Sequence, residues 1–169
     1  MENNPYQRKG VSSNTHAGKD FENKIFDFLE KNGISTEHQK KIEIGIIKKK
    51  EHAFDFGNNS ILVECKSQTW TETGNAPSAK IKNWSDAMFS FYLAPKKYKK
   101  LFFVEMSRNP NNSKPLLEYF IDHYFYLIPS DVILIDFDTK INNFEFYMYD
   151  SNNEIRKYKD EDEFWSFLK

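Results

Sequence analysis

Asp55, Glu64 and Lys66 carry more potential chemistry than any other residues of this chain, because their spacing lets them meet on neighbouring strands. They lie in the stretch His52-Ala53-Phe54-Asp55-Phe56-Gly57-Asn58-Asn59-Ser60-Ile61-Leu62-Val63-Glu64-Cys65-Lys66-Ser67-Gln68. It reads as a β-hairpin: a strand to Phe56, a Gly-Asn-Asn-Ser turn and a second strand from Ile61. Alternation along the second strand puts Glu64, Lys66 and Gln68 on one face and Val63, Cys65 and Ser67 on the other. A partnered strand carrying Asp55 sets a second carboxylate beside Glu64. Two carboxylates and an ammonium at the end of a strand suit a hard divalent cation such as Mg²⁺, with a proton handler next to it. Glu-x-Lys alone is a common string that usually marks a solvated ion pair. The unbroken Ile61-Leu62-Val63 run, however, reads as a strand buried on both faces, where charges are expensive unless a partner or metal uses them.

The constellation resembles the active site of the PD-(D/E)xK nuclease superfamily, best known from type II restriction endonucleases. That pattern is an acid, a variable gap, then acid-x-Lys, here Asp55, Glu64 and Lys66, with Phe54 in the place where a proline often precedes the first acid. Many members add a helical glutamate in a Gly-x-x-Phe-Glu context, matched by Gly18-Lys19-Asp20-Phe21-Glu22. The resemblance implies an α/β fold, a central mixed β-sheet of four or five strands flanked by helices in a restriction-endonuclease-like core. It implies that Asp55, Glu64 and the backbone carbonyl of Cys65 hold Mg²⁺, with Mn²⁺ able to substitute, and that Glu22 holds a second metal or an outer water. Lys66 would orient the attacking water, and would need a depressed pKa to act as its base. Gln68, pointing the same way, would bond the phosphate or the water. The reaction implied is endonucleolytic hydrolysis of double-stranded DNA at a specific site by a homodimer, with a cognate DNA methyltransferase as a genetic partner. A repair, junction-resolving or RNA-processing nuclease of the same superfamily is the alternative, and a non-catalytic nucleic-acid-binding domain is another.

The segment after Gln68, Thr69-Trp70-Thr71-Glu72-Thr73-Gly74-Asn75-Ala76-Pro77, is too long for a simple turn. Thr69, Thr71, Glu72, Asn75 and Ser78 carry donors and acceptors of the kind that read base edges. Lys80 and Lys82, in the first turns of the next helix, are placed for phosphates. Lysines gather at Lys40, Lys41 and Lys48 to Lys50 and again at Lys96, Lys97, Lys99 and Lys100, while Asp160 to Glu163 are acidic. The net charge is −1, so any nucleic-acid affinity must come from a local groove.

The chain of 169 residues suits one domain, with residues 1–16 as a polar arm and 139–169 as a hairpin and helix added to the core. Sixteen Phe, nine Tyr and three Trp argue for a packed globule. No run approaches a membrane span and no signal peptide is evident, so a cytoplasmic location is the expectation. One cysteine excludes an internal disulfide framework; Cys65 reads as a small buried hydrophobe. His16, His38, His52 and His123 lack zinc-binding spacing and read as surface or packing residues, although His16 and His52 lie near the proposed site. Periodicity predicts helices over 17–32, 78–93, 115–127 and 160–168 and strands over 42–47, 101–106, 132–137 and 144–149, besides the hairpin.

Overall fold

A computed structural model describes residues 11–169, with side chains from Thr15 onward. The elements run α1 (Val11–Lys31), β1 (Glu37–Ile44), β2 (Lys50–Gly57), β3 (Ile61–Lys66), α2 (Ser78–Leu93), β4 (Lys99–Glu105), α3 (Leu116–Tyr124), β5 (Val132–Asp138), β6 (Asn143–Tyr149), β7 (Ile155–Tyr158) and α4 (Glu161–Leu168). The seven strands form one mixed sheet in sequential order. β3, β4 and β5 are parallel neighbours, while the β1–β2, β2–β3, β5–β6 and β6–β7 pairs are antiparallel. The α/β class and the flanking helices agree with the expectation, and the sheet is wider than the four or five strands anticipated.

Parallel neighbours need crossovers, and α2 and α3 supply them. Ile81, Trp84, Ala87, Met88 and Phe91 of α2 and Leu116, Leu117 and Phe120 of α3 pack on one sheet face with Leu62, Phe102, Val104 and Leu134. Phe21, Ile25 and Leu29 of α1, at helical spacing, join Phe164 and Leu168 of α4 on the other face, against Val63, Cys65, Phe103, Ile135 and Phe146. β3 and β4 are covered on both faces, which is why their sequences are continuous apolar runs.

Several boundaries differ from the sequence expectation. The polar arm assigned to residues 1–16 lies partly outside the described residues, and from Val11 the chain is already helical. β1 begins at Glu37 and ends at Ile44; Ile46 and Ile47 are not strand but exposed turn. Their apolar character imitates a strand, yet both side chains stand exposed. Pro77, not Ser78, caps α2, and the Ser78 hydroxyl donates to the Ala76 carbonyl. β7 escaped the pattern because its burial does not alternate.

Candidate active site

The site arises from a break in β2. Phe54 packs with the α2 layer and Phe56 with the α1 layer, although residues two apart on a regular strand share a face. The flip falls at Asp55. The β1–β2 register pairs His38 with Phe56 and Lys40 with Phe54 but omits Gln39 and Asp55, and Gln39 has φ 54°, a left-handed conformation unusual for a non-glycine residue. β2 pairs with β3 only through Phe56–Val63 and Gly57–Leu62. At Asp55 the two strands part, and the Asp55 carboxylate replaces the missing ladder bond: the backbone N–H of Cys65 donates to Asp55 Oδ2 at 2.7 Å.

Glu64 is buried, at 7% exposure, on the α2 face of β3. Lys66 Nζ donates to Glu64 Oε2 at 3.0 Å, and His52 Nε2 lies 3.8 Å from Glu64 Oε1. That nitrogen is buried and has no hydrogen-bond partner among the described residues, while the imidazole ring stands edge-on to Phe54. The sequence therefore undervalued His52: its inward nitrogen belongs to this cluster. Only the fold shows that, because a lone histidine three residues before an acid has no distinguishing pattern.

Burial pushes the Asp55 carboxyl up to about 7, and the neighbouring Glu64 charge pushes in the same direction, against the Cys65 N–H and Lys66. Burial pulls Lys66 down, but the charges of Glu64 and Asp55 and the hydrogen bond to Glu64 more than offset it, so its pKa is raised. Lys66 is an ammonium here; the depressed pKa that a general base needs is absent. Burial also pushes the Cys65 thiol well up, and Asp55 and Glu64 add to it. The thiol is an inert apolar group packed toward α1, leaving its backbone carbonyl as the only donor it can offer.

The remaining expected residues divide. Glu22 on α1 is close enough for its charge to raise the Asp55 pKa, and it pairs with Lys19 at 2.9 Å. Gln68 is held by the core: its Oε1 accepts Trp84 Nε1–H at 2.6 Å. Thr71 and Asn75 spend polar groups on the loop itself, since Thr71 Oγ1 bonds both the N–H and the carbonyl of Asn75, and Asn75 Nδ2 reaches Thr73. Thr69, Glu72, Lys80 and Lys82 are exposed. The lysines 96–100 stand at the opposite end of the sheet, where Lys99 is level with Ile61 and Lys100 is buried against Asp131. They do not share a groove with the acids.

A second loop completes the surroundings, and the sequence did not single it out. After β4, the buried Asn109 donates from Nδ2 to the Gly74 carbonyl, and Asn111 donates to the Thr73 carbonyl. Trp70 donates its backbone N–H to Ser107 Oγ and its indole N–H to the Lys114 carbonyl. Gly74 has φ +80°, and a Cβ there would lie 2.2 Å from Asn111 Nδ2, so glycine is required for this close approach. The loops leaving the parallel strands β3 and β4 are thus clasped into one wall beside the acids. Arg108, exposed within it, makes no ion pair among the described residues.

A concavity of about 630 Å³ lies elsewhere, lined by Asn32, Ile34, Asn58, Ile61, Trp165 and Lys169 at the start of β3. Size alone does not make it the chemical site, since it holds no cluster of charged side chains comparable to that around Glu64. Among the described residues, no three His, Cys, Asp or Glu side chains converge tightly enough to hold a metal by themselves. No helix among them is long and apolar enough to cross a membrane. No protein-family model, no curated protein and no solved structure matches the chain.

Proposed function

We propose that this protein is a divalent-metal-dependent endonuclease with a restriction-endonuclease-like core, hydrolysing phosphodiester bonds of double-stranded DNA. The observation that carries the reading is the pairing of Asp55 and Glu64 where β2 and β3 separate, close enough for the Glu64 charge to raise the Asp55 pKa, with Lys66 bonded to Glu64. The element order supports it: one helix, three antiparallel strands, a crossover helix and a parallel fourth strand.

The donor set fits Mg²⁺ or Mn²⁺. Two carboxylates whose charges oppose each other would gain from a bound cation, and hard oxygen ligands favour these ions over zinc. Asp55, Glu64 and the Cys65 carbonyl would hold such an ion, which is usually bound by few protein ligands together with water and phosphate. When bound, such an ion acidifies water and polarises the phosphate. The chain's own groups do the rest. Lys66, kept protonated by Glu64 and Asp55, orients water and stabilises the charge developing on the phosphoryl oxygens. The Cys65 N–H fixes Asp55, and Lys66 and His52 flank the two oxygens of Glu64. Apart from the cluster, the clasped loops present Arg108, Thr69 and Glu72 to a substrate, with Lys80 and Lys82 alongside. Pairing of two copies on a palindromic site belongs to the same reading.

The test is digestion of long duplex DNA with Mg²⁺, with and without EDTA, alongside Lys66→Ala. Discrete bands that vanish in both controls identify a site-specific enzyme. A smear with the same controls keeps the nuclease and assigns it to repair or processing. Cleavage that survives Lys66→Ala contradicts the assigned site.

A further inference from the structure

The β1–β2 hairpin carries its strands past the acids. Its ladder continues through Ile42–His52 and Glu43–Glu51 to Ile44–Lys50. The connecting turn, residues 45–49, therefore stands about 10 Å beyond the level of Lys66, at roughly 3.3 Å per residue. At its tip Ile46 is 77% and Ile47 91% exposed, the latter the most exposed large hydrophobic residue in the described chain. Lys48, Lys49 and Lys50 follow, all exposed, and none makes an ion pair among the described residues. Against them stand Glu43 and Glu51, the latter already bound to Lys41 at 3.0 Å. The turn is tightly folded: Gly45 has φ +154°, and a Cβ there would fall 2.1 Å from the Lys48 carbonyl oxygen. The apolar pair is thus displayed on a defined turn whose strands are anchored through Ile44 and Phe54 in the core.

We propose that this tip is a nucleic-acid-binding wedge, with Ile46 and Ile47 pressed against the base or sugar surface of a duplex groove and Lys48, Lys49 and Lys50 on the flanking phosphates. It rests on the nuclease reading for the identity of its partner. Two adjacent, highly exposed isoleucines followed by three exposed lysines match a partner with an apolar surface between anions, and apolar side chains inserted at a base step beside cations are an established way to grip and bend a duplex. The cations Lys80, Lys82 and Arg108, with no ion pair among the described residues, lie at the same end of the sheet, so one polyanion crossing the acids meets all of them. A flat anionic membrane offers no reason for the tip to share an end with the carboxylate cluster.

The experiment is binding of a short fluorescent duplex in EDTA, where cleavage is off, read as anisotropy across a salt series. Wild type is compared with Ile46→Ser/Ile47→Ser and with Lys48→Gln/Lys49→Gln/Lys50→Gln, after thermal melting shows that each folds. The lysine variant should flatten the dependence of log affinity on log salt by about 0.9 for each phosphate left without its lysine, about 2 to 3 in all. The isoleucine variant should keep the slope, bind about tenfold more weakly, and lose the rise in fluorescence that wild type produces from 2-aminopurine in the duplex. Wild-type affinity, slope and fluorescence in both variants overturn the wedge. So does a wild type that ignores the duplex and sediments with phosphatidylserine vesicles through the tip. A protein that binds duplex through the tip but cuts nothing with Mg²⁺ overturns the nuclease reading and leaves the wedge standing. Cleavage with unaltered tip variants does the reverse.

Discussion

Two buried carboxylates of the sheet are both pushed up to about 7, and the nuclease reading gives a use to only one of them. Asp55 stands where β2 leaves β3; Asp136 is buried in β5. The register runs Lys66–Val104–Asp136–Glu145 across four strands, so Asp136 is two strands, about 10 Å, from Lys66. Burial is the first cause in both. At Asp55 the second is Glu64, a carboxylate that shares the opening with it; at Asp136 the Arg108 charge opposes the rise, while Glu145 and Glu118 add to it. Asp55 has a backbone donor, whereas both oxygens of Asp136 are buried without a hydrogen bond among the described residues. Around Asp136 the charges are neutralised already: Lys157 pairs with Glu118 and Glu145, Lys159 with Glu145, and Tyr147 donates to Glu118. A perturbed pKa thus marks burial first; chemistry needs a second acid, a cation and an open edge as well.

The largest expected separation between the two regions is in activity. Lys66→Ala should lower DNA cleavage by about 10²- to 10⁴-fold, while Asp136→Asn should leave it close to wild type; comparable losses in both would erase the distinction. Next comes pH. Asp136 carries a folded pKa near 7 against an ordinary 3.8, so the folded state binds the extra proton between those values. Its stabilising share is complete below pH 3.8 and is lost as pH rises through 7, about 4 kcal/mol for a shift of that size. Asp55 contributes with the same sign. Unfolding titrations from about pH 5 to 7 should show a shallower fall in stability in Asp136→Asn, and an unchanged slope would mean that Asp136 ionises freely.

Smaller effects concern the walls of the site. Asn109→Ala should cost about 1–3 kcal/mol by leaving the Gly74 carbonyl unpaired, and should speed hydrogen exchange in residues 70–77 before any other segment. Exchange unchanged there would mean that the two loops are not clasped through Asn109. The least expected loss is at the exposed Lys41–Glu51 pair, where Lys41→Ala should change stability by less than about 1 kcal/mol.

The legible parts of the fold were those with strong periodicity: the α1 stripe of Phe21, Ile25 and Leu29, the buried runs of β3 and β4, and the hairpin turn at 57–60. Asp55 and Glu64 were legible as neighbours because a short turn fixes the register. The face flip at Asp55 was not, since it depends on Gln39 in another strand. Nor was the orphaned nitrogen of His52, or Asn109 reaching Gly74 across 35 residues. These contacts belong to the sheet as a whole, and no local pattern encodes them. Ile46 and Ile47 misled for the opposite reason, being strand-like residues placed in a turn.

The most direct measurement is a Mn²⁺ titration by calorimetry on wild type, Asp55→Asn and Asp136→Asn. If Asp55 and Glu64 form the metal site, wild type and Asp136→Asn bind Mn²⁺ alike and Asp55→Asn loses most of the affinity. Equal binding in all three proteins, or a loss only in Asp136→Asn, would contradict the account.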